Sequence, residues 1–156
     1  MNQSRRDVLR AGGGASLFAL LATAGVLRPQ AALAADWNSK AFEAKNVKDA
    51  LDALGAGNPV NSNDIVMTAP EIAENGAVVP IAAVSKIPGT ESISILIAKN
   101  PTALAASFDI PAGTEAAVST RVKLAQSTDV HILVKAQGKY YITKKEVKVT
   151  IGGCGG

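Results

Sequence analysis

From Asn58 onward the chain is written as short runs rich in valine, isoleucine and threonine, each cut off by turn residues. β-branched side chains lose rotamer freedom in a helix and pack well on a pleated surface, so such runs read as strands. We place strands at Ile65–Thr68, Val78–Val84, Ser92–Ala98, Ala116–Leu124, Val130–Ala136 and Tyr141–Ile151. Asn75-Gly76, Pro88-Gly89, Asn100-Pro101, Pro111-Ala112-Gly113 and Gln137-Gly138 punctuate them. Several alternate with period two: Val118, Thr120, Val122 and Leu124 share one face, and Ser119, Arg121 and Lys123 the other. Ile93, Ile95 and Ile97 face one side of a strand whose other side holds Ser94, Leu96 and Ala98, so that strand is buried on both faces, by this chain or by a partner. About seven strands with regular turns, and no alternating helices to build a parallel sheet, predict an immunoglobulin-like antiparallel β-sandwich.

One helix precedes the strands. Phe42, Val47, Leu51 and Leu54 recur at helical spacing across Asp36–Leu54, with Glu43, Lys45, Lys48, Asp49 and Asp52 on the other face. Ser39 is the expected N-cap. Gly55 and Gly57 stop the helix, and Pro59 prevents an easy restart.

Residues 1–34 read as a targeting segment. Arg5 and Arg6 precede an apolar, glycine-broken run from Ala11 to Leu27, and Ala32 and Ala34 supply the small residues of a cleavage site. The twin arginines point to the Tat route and a periplasmic destination. The run is too short and broken to span a membrane well, so no anchor is expected after cleavage. The expected organisation is a signal at 1–34, a helix and sandwich at 35–151, and a carrier arm at 152–156. Removing residues 1–34 takes away four arginines and one aspartate and leaves 122 residues. The formal charge then falls from +3 to zero, with 12 basic and 12 acidic residues. No electrostatic case for nucleic acid or an anionic membrane survives that balance.

The single cysteine, Cys154, lies between Gly152, Gly153, Gly155 and Gly156. A cysteine that packs is surrounded by apolar neighbours. Four glycines offer none, and they predict a thin, flexible C-terminal arm bearing one sulfur. An odd thiol in an exported chain points to intermolecular pairing or to deliberate reactivity. Nothing on the arm activates it: a free thiol of pKa near 8.5 is only a few per cent thiolate at neutral pH. A reactive atom presented without catalytic groups fits a carrier, with catalysis supplied by other proteins.

No catalytic constellation accompanies it. The only histidine, His131, lies in a strand with no nucleophile near it in sequence, and reads as a strand residue rather than a general base. One histidine and one cysteine do not make a metal site. No cofactor is expected. Lys144-Lys145-Glu146 reads as a solvated strand edge, Glu71–Gly76 as a helical turn ending in a tight bend, and Arg121 as a surface or interface residue.

The ending Val147–Gly156 resembles the swinging arm of the SoxY family, sulfur carriers of bacterial thiosulfate oxidation. Ala69–Pro80 and Ser119–Lys123 are similar to that family as well, as are the twin-arginine signal and the N-terminal helix. The resemblance implies that Cys154 is the covalent attachment point for sulfur intermediates. It further implies a heterodimer with a SoxZ-like β-sandwich subunit. The other implied partners are a c-type cytochrome that couples thiosulfate to the thiol, a sulfate-releasing hydrolase and, in many systems, a sulfane dehydrogenase.

Two other readings compete. The chain could be a non-catalytic exported binding module whose Cys154 forms an intermolecular disulfide, or an exported enzyme using Cys154 as nucleophile. The missing base makes the second the weaker.

Overall fold

A computed structural model describes residues 38–150. The expectations placed on Arg5, Arg6, Ala32 and Ala34, on Asp36 as the start of the helix, on Ile151 as the end of the last strand, and on Gly152–Gly156 fall outside the described residues. In chain order come α1 (Ser39–Glu43), α2 (Val47–Ala53), β1 (Val60–Asn61), β2 (Ile65–Thr68), β3 (Ile72–Ala73), β4 (Val79–Ser85), β5 (Thr90–Ile97), β6 (Leu104–Asp109), β7 (Ala117–Val122), β8 (Thr128–Ala136) and β9 (Lys139–Val149). The described residues are mainly β, as expected.

Two sheets face each other. The larger runs β1-β9-β8-β5-β6, with β3 also paired to β9, and the smaller runs β2-β4-β7. Ile65, Val79, Ile81 and Ala83 of the small sheet pack with Ile93, Ile95, Ile97, Val130, Ile132, Val134 and Val147 of the large one. The period-two pattern causes this arrangement, since alternate residues of each strand share one inner face.

The helices form a third layer on the far side of the large sheet. Ala41, Ala44 and Ala50 pack with Leu96, Leu104 and Leu133. Their small side chains let the helices lie close to the sheet. This resolves the two-faced burial of β5: Ile93–Ile97 are all buried, on one side by the small sheet and on the other by the chain's own helices. Ile93–Ile97 therefore offer no surface to a partner.

The expected single helix is two. Ala44 is extended (φ −60, ψ 130), which ends α1. Asn46 then caps α2, its Oδ1 accepting from the amide of Asp49 at 2.9 Å. Asn38, not Ser39, caps α1, accepting from the amide of Ala41 at 3.1 Å. The expected stop at Gly55 is present and its form is specific. Gly55 has φ +75, its amide donates to Asp52 and the Ala56 amide donates to Leu51 at 2.7 Å. That pair of bonds is a Schellman cap, and it requires a left-handed residue at Gly55.

The strand assignments also need correction. β1, β3 and β6 lie outside the six expected runs. β6 pairs with β5 through Ser92↔Asp109 to Leu96↔Leu104, with a bulge between Ile95 and Leu96. The antiparallel expectation holds for the long strands, but β1 and β3 both pair parallel to β9. Glu71–Gly76 holds a short strand rather than a helical turn. Only its bend is as expected, with the Ala77 amide donating to Asn75 Oδ1 at 2.9 Å. The Gln137-Gly138 turn joins β8 to β9 with φ of 52° and 70°, the pair of positive angles that a two-residue hairpin of type I′ needs.

Candidate functional site

The last described residues form the root from which the cysteine-bearing segment departs. β9 reaches this point after pairing with β8 over Lys139–Val147. Beyond β8 its two long edges are each taken by a different element. On one edge, β3 pairs in parallel through Ile72↔Lys148 and Ala73↔Val149. The Lys148 amide donates to Glu71 O at 2.9 Å and the Thr150 amide to Ala73 O at 3.2 Å. On the other edge, Ser127 replaces a strand. Its Oγ accepts from the Val149 amide at 2.9 Å and donates to the Val149 carbonyl at 3.4 Å. The backbone is thus held up to Thr150, four residues before Cys154.

Lys145 extends the hold. Its Nζ donates to Ala69 O at 2.8 Å in a part-buried contact, tying the segment leading into β3 to β9. Lys144-Lys145-Glu146 is accordingly not a simple solvated edge: Lys144 bonds Asp129 across β8 at 3.3 Å and Lys145 is a tether. Glu71, Ile72, Lys145, Glu146 and Lys148 together line a shallow concavity of ≈ 300 Å³ beside the root.

The other singled-out residues lie elsewhere. His131 sits half-buried in β8, opposite Leu96 of β5 and Lys144 of β9. Burial pushes its pKa below the usual imidazole value, and Lys144 adds to this while Asp129 opposes it. A histidine whose burial disfavours its charged form, with its neighbours supplied by strand register, is the strand residue the sequence suggests. Arg121 is exposed in β7, opposite Pro80 of β4. It is the one charged residue in the three strands of the small sheet. Among the described residues, no cluster of three or more His, Cys, Asp or Glu side chains could hold a metal ion.

Sequence reasoning missed Ser127, and it read the segments holding Ile72 and Lys145 as a helical turn and a solvated edge. Ser127 acts through its hydroxyl, Ile72 through register with β9, and Lys145 through a carbonyl 76 residues away. None has a local signal.

Residues 50–154 match the family model described as sulfur oxidation protein SoxY. Among solved structures, the chain is similar to the sulfur carrier protein SoxY from Chlorobium limicola f thiosulfatophilum. That match has 40% identity and a TM-score of 0.62, covering 68% of this chain and 97% of the other. It is also similar, at 17% identity and a TM-score of 0.49, to a superoxide reductase (neelaredoxin) from Ignicoccus hospitalis, covering 55% of this chain and 79% of the other. No curated protein matches the chain by sequence.

Proposed function

The chain belongs to the SoxY family of sulfur oxidation proteins, and from that premise we propose that it is a covalent carrier for the sulfur intermediates of thiosulfate oxidation, bound on Cys154. The observation that supports the attachment point is the extent of the family match, whose final residue is Cys154 itself. The hold on β9 up to Thr150 fits the same reading, in which Gly152, Gly153, Gly155 and Gly156 flank Cys154 as the carrier arm.

In the reading we propose, a c-type cytochrome removes two electrons as the Cys154 sulfur bonds to the outer sulfur of thiosulfate, and the thiol proton is released. The product is a cysteine S-thiosulfonate. A hydrolase then adds water across the bond to the sulfonate group, releasing sulfate and leaving a persulfide on Cys154. Where a sulfane dehydrogenase is present, it takes six electrons from that outer sulfur while three waters supply its oxygens, giving a cysteine S-sulfonate, and a second hydrolysis releases sulfate and frees the thiol. An isolated thiol is mostly protonated at neutral pH, so the loading enzyme must supply its activation. The chain itself contributes attachment and presentation, not catalysis.

The reading includes export to the periplasm by the Tat route, with Arg5 and Arg6 as its signal and cleavage after Ala34. It also includes a stable SoxZ-like β-sandwich subunit. The outward face of the small sheet suits such a subunit: Val66, Val84, Ala82 and Thr68 carry no charge, and only Arg121 does so in those three strands. Depletion of charge is what distinguishes the centre of a protein interface.

Intact-mass analysis of the protein purified from cells growing on thiosulfate tests the proposal. Sulfur and sulfonate adducts confined to the peptide containing Cys154 are expected, and Cys154→Ser should remove them with the thermal midpoint unchanged. A thiol that stays bare in growing cells defeats it.

A further inference from the structure

We propose that Asn75-Gly76 is a self-modification site: in the folded protein the Gly76 nitrogen attacks the Asn75 side chain, and the asparagine becomes isoaspartate or aspartate with loss of ammonia. The inference stands apart from the carrier reading.

Several features of this turn meet at one bond. Asn75 is the only asparagine in the chain followed by glycine, so no side chain shields the attacking nitrogen. Asn75 is exposed, and its side chain is folded over the following peptide, with Oδ1 accepting from the Ala77 amide at 2.9 Å. Gly76 is buried, and its carbonyl is fixed by the Leu124 amide at 2.7 Å. Among the described residues nothing accepts a hydrogen bond from the Gly76 amide itself.

The two amides have different roles. When the Gly76 nitrogen bonds to Cγ, negative charge develops on Oδ1. The Ala77 amide is already aimed at that atom, and a donor in that place lowers the barrier. The Gly76 amide is the nucleophile. A hydrogen bond from an N–H stabilises its protonated form, so an amide without one gives its proton to base more readily.

The reaction balances without an oxidant or a cofactor. Base takes the Gly76 proton and the N–Cγ bond forms. Ammonia then leaves Cγ with a proton from water, which regenerates the base and closes a succinimide ring. Water opens the ring at either carbonyl. Cleaving the bond to Cγ restores the ordinary backbone, with a carboxylate on the side chain of position 75. Cleaving the bond to the former backbone carbonyl leaves isoaspartate, with the chain running through Cγ. Amide and water have become carboxylic acid and ammonia.

Position 75 lies between two anchors. Ala73 O accepts from the Thr150 amide at 3.2 Å, and Gly76 O accepts from the Leu124 amide. Isoaspartate adds a backbone carbon between them, so the two bonds cannot both keep their geometry. Either the segment after β7 or the end of β9 must give.

The other asparagines supply the comparison. Asn61 and Asn63 are exposed as well, but Ser62 and Asp64 follow them. Asn58 and Asn100 precede prolines, which have no nitrogen proton to lose.

The experiment incubates the folded protein, with any subunit that co-purifies, at mildly alkaline pH and maps its peptides by mass spectrometry, with isoaspartate methyltransferase marking the isomer. Conversion at Asn75 is expected to run about tenfold or more faster than at Asn61 or Asn63. It should keep pace with the same residue in the urea-unfolded chain and yield isoaspartate as well as aspartate. Hydrogen exchange in the converted protein should speed up at the Leu124 or the Thr150 amide. Folded protein that keeps its Asn75 amide while the unfolded chain loses it overturns the inference, by showing that the turn protects the residue. Equal conversion at Asn61 and Asn63 overturns it as well. So does aspartate without isoaspartate, since direct hydrolysis passes through no ring. Unchanged exchange at both amides overturns the coupling to the two anchors.

Discussion

The hydroxyl of Tyr140 donates to the carbonyl of Leu54 at 2.7 Å, joining the end of α2 to the start of β9 across 86 residues of sequence. The bond satisfies a helix-terminal carbonyl that has no partner within its own helix. Tyr140→Phe keeps the ring and leaves that carbonyl unpaired. It is expected to cost about 1 kcal/mol, read as a lower urea midpoint with an unchanged slope.

Gly55 is confined by the cap that ends α2. Its φ of +75 is disfavoured for a side chain, while an added Cβ would meet only the Tyr140 hydroxyl at an ordinary 3.6 Å. The penalty of Gly55→Ala is therefore conformational rather than steric, at about 1–2 kcal/mol. Gly113 has a similar φ of +83 and open space around it, so Gly113→Ala should cost a comparable amount. Denaturant melts that show Gly55→Ala as neutral would remove the Schellman assignment.

Ser127 holds the Val149 amide and carbonyl where β8 no longer does. Ser127→Ala should cost about 0.5–1.5 kcal/mol. The effect should be local: hydrogen exchange is expected to speed up at the Val149 amide and to stay unchanged at Ile132 in the middle of β8. Equal acceleration at both sites would mean that Ser127 supports the whole sheet and not the root alone.

His131 makes stability depend on pH in a definite direction. Its folded pKa lies below the ordinary imidazole value because of burial, with Lys144 reinforcing and Asp129 opposing the shift. The unfolded chain therefore binds a proton more readily than the folded one, and stability falls as pH falls. The loss starts near the ordinary value of about 6.5 and is complete once pH passes below the lowered folded value. His131→Gln should show a smaller drop in urea midpoint between pH 7.5 and 5.5 than the wild type. An identical drop in both proteins would assign the effect to carboxylates instead.

Much of this fold is legible in the sequence where local chemistry decides the conformation. Gly138 after Gln137 announces a tight hairpin, Gly55 announces a helix end, and the alternation in β7 names its inner face. The break between α1 and α2 is also announced, by Asn46 three residues before Asp49, but the helical spacing of Phe42, Val47 and Leu51 runs straight across it. β6 escapes because Ala105, Ala106 and Ser107 have weak strand preference; its place is fixed by pairing with β5. β1 and β3 are two residues long and exist only because β9 offers an edge to each. The candidate site divides in the same way. A lone cysteine among glycines is visible to any reader of the chain, whereas the hold on Lys148–Thr150 comes from segments some 20 and 75 residues upstream, and long-range register leaves no local trace.

β9 is gripped on both edges where it ends, by β3 on one side and Ser127 on the other. A tug transmitted through Thr150 runs along the strand and across its hydrogen bonds, so those bonds bear the load together, in shear, instead of opening in turn like a zip. A protein hauling on the tail must break several of those bonds at once to unravel the domain behind it.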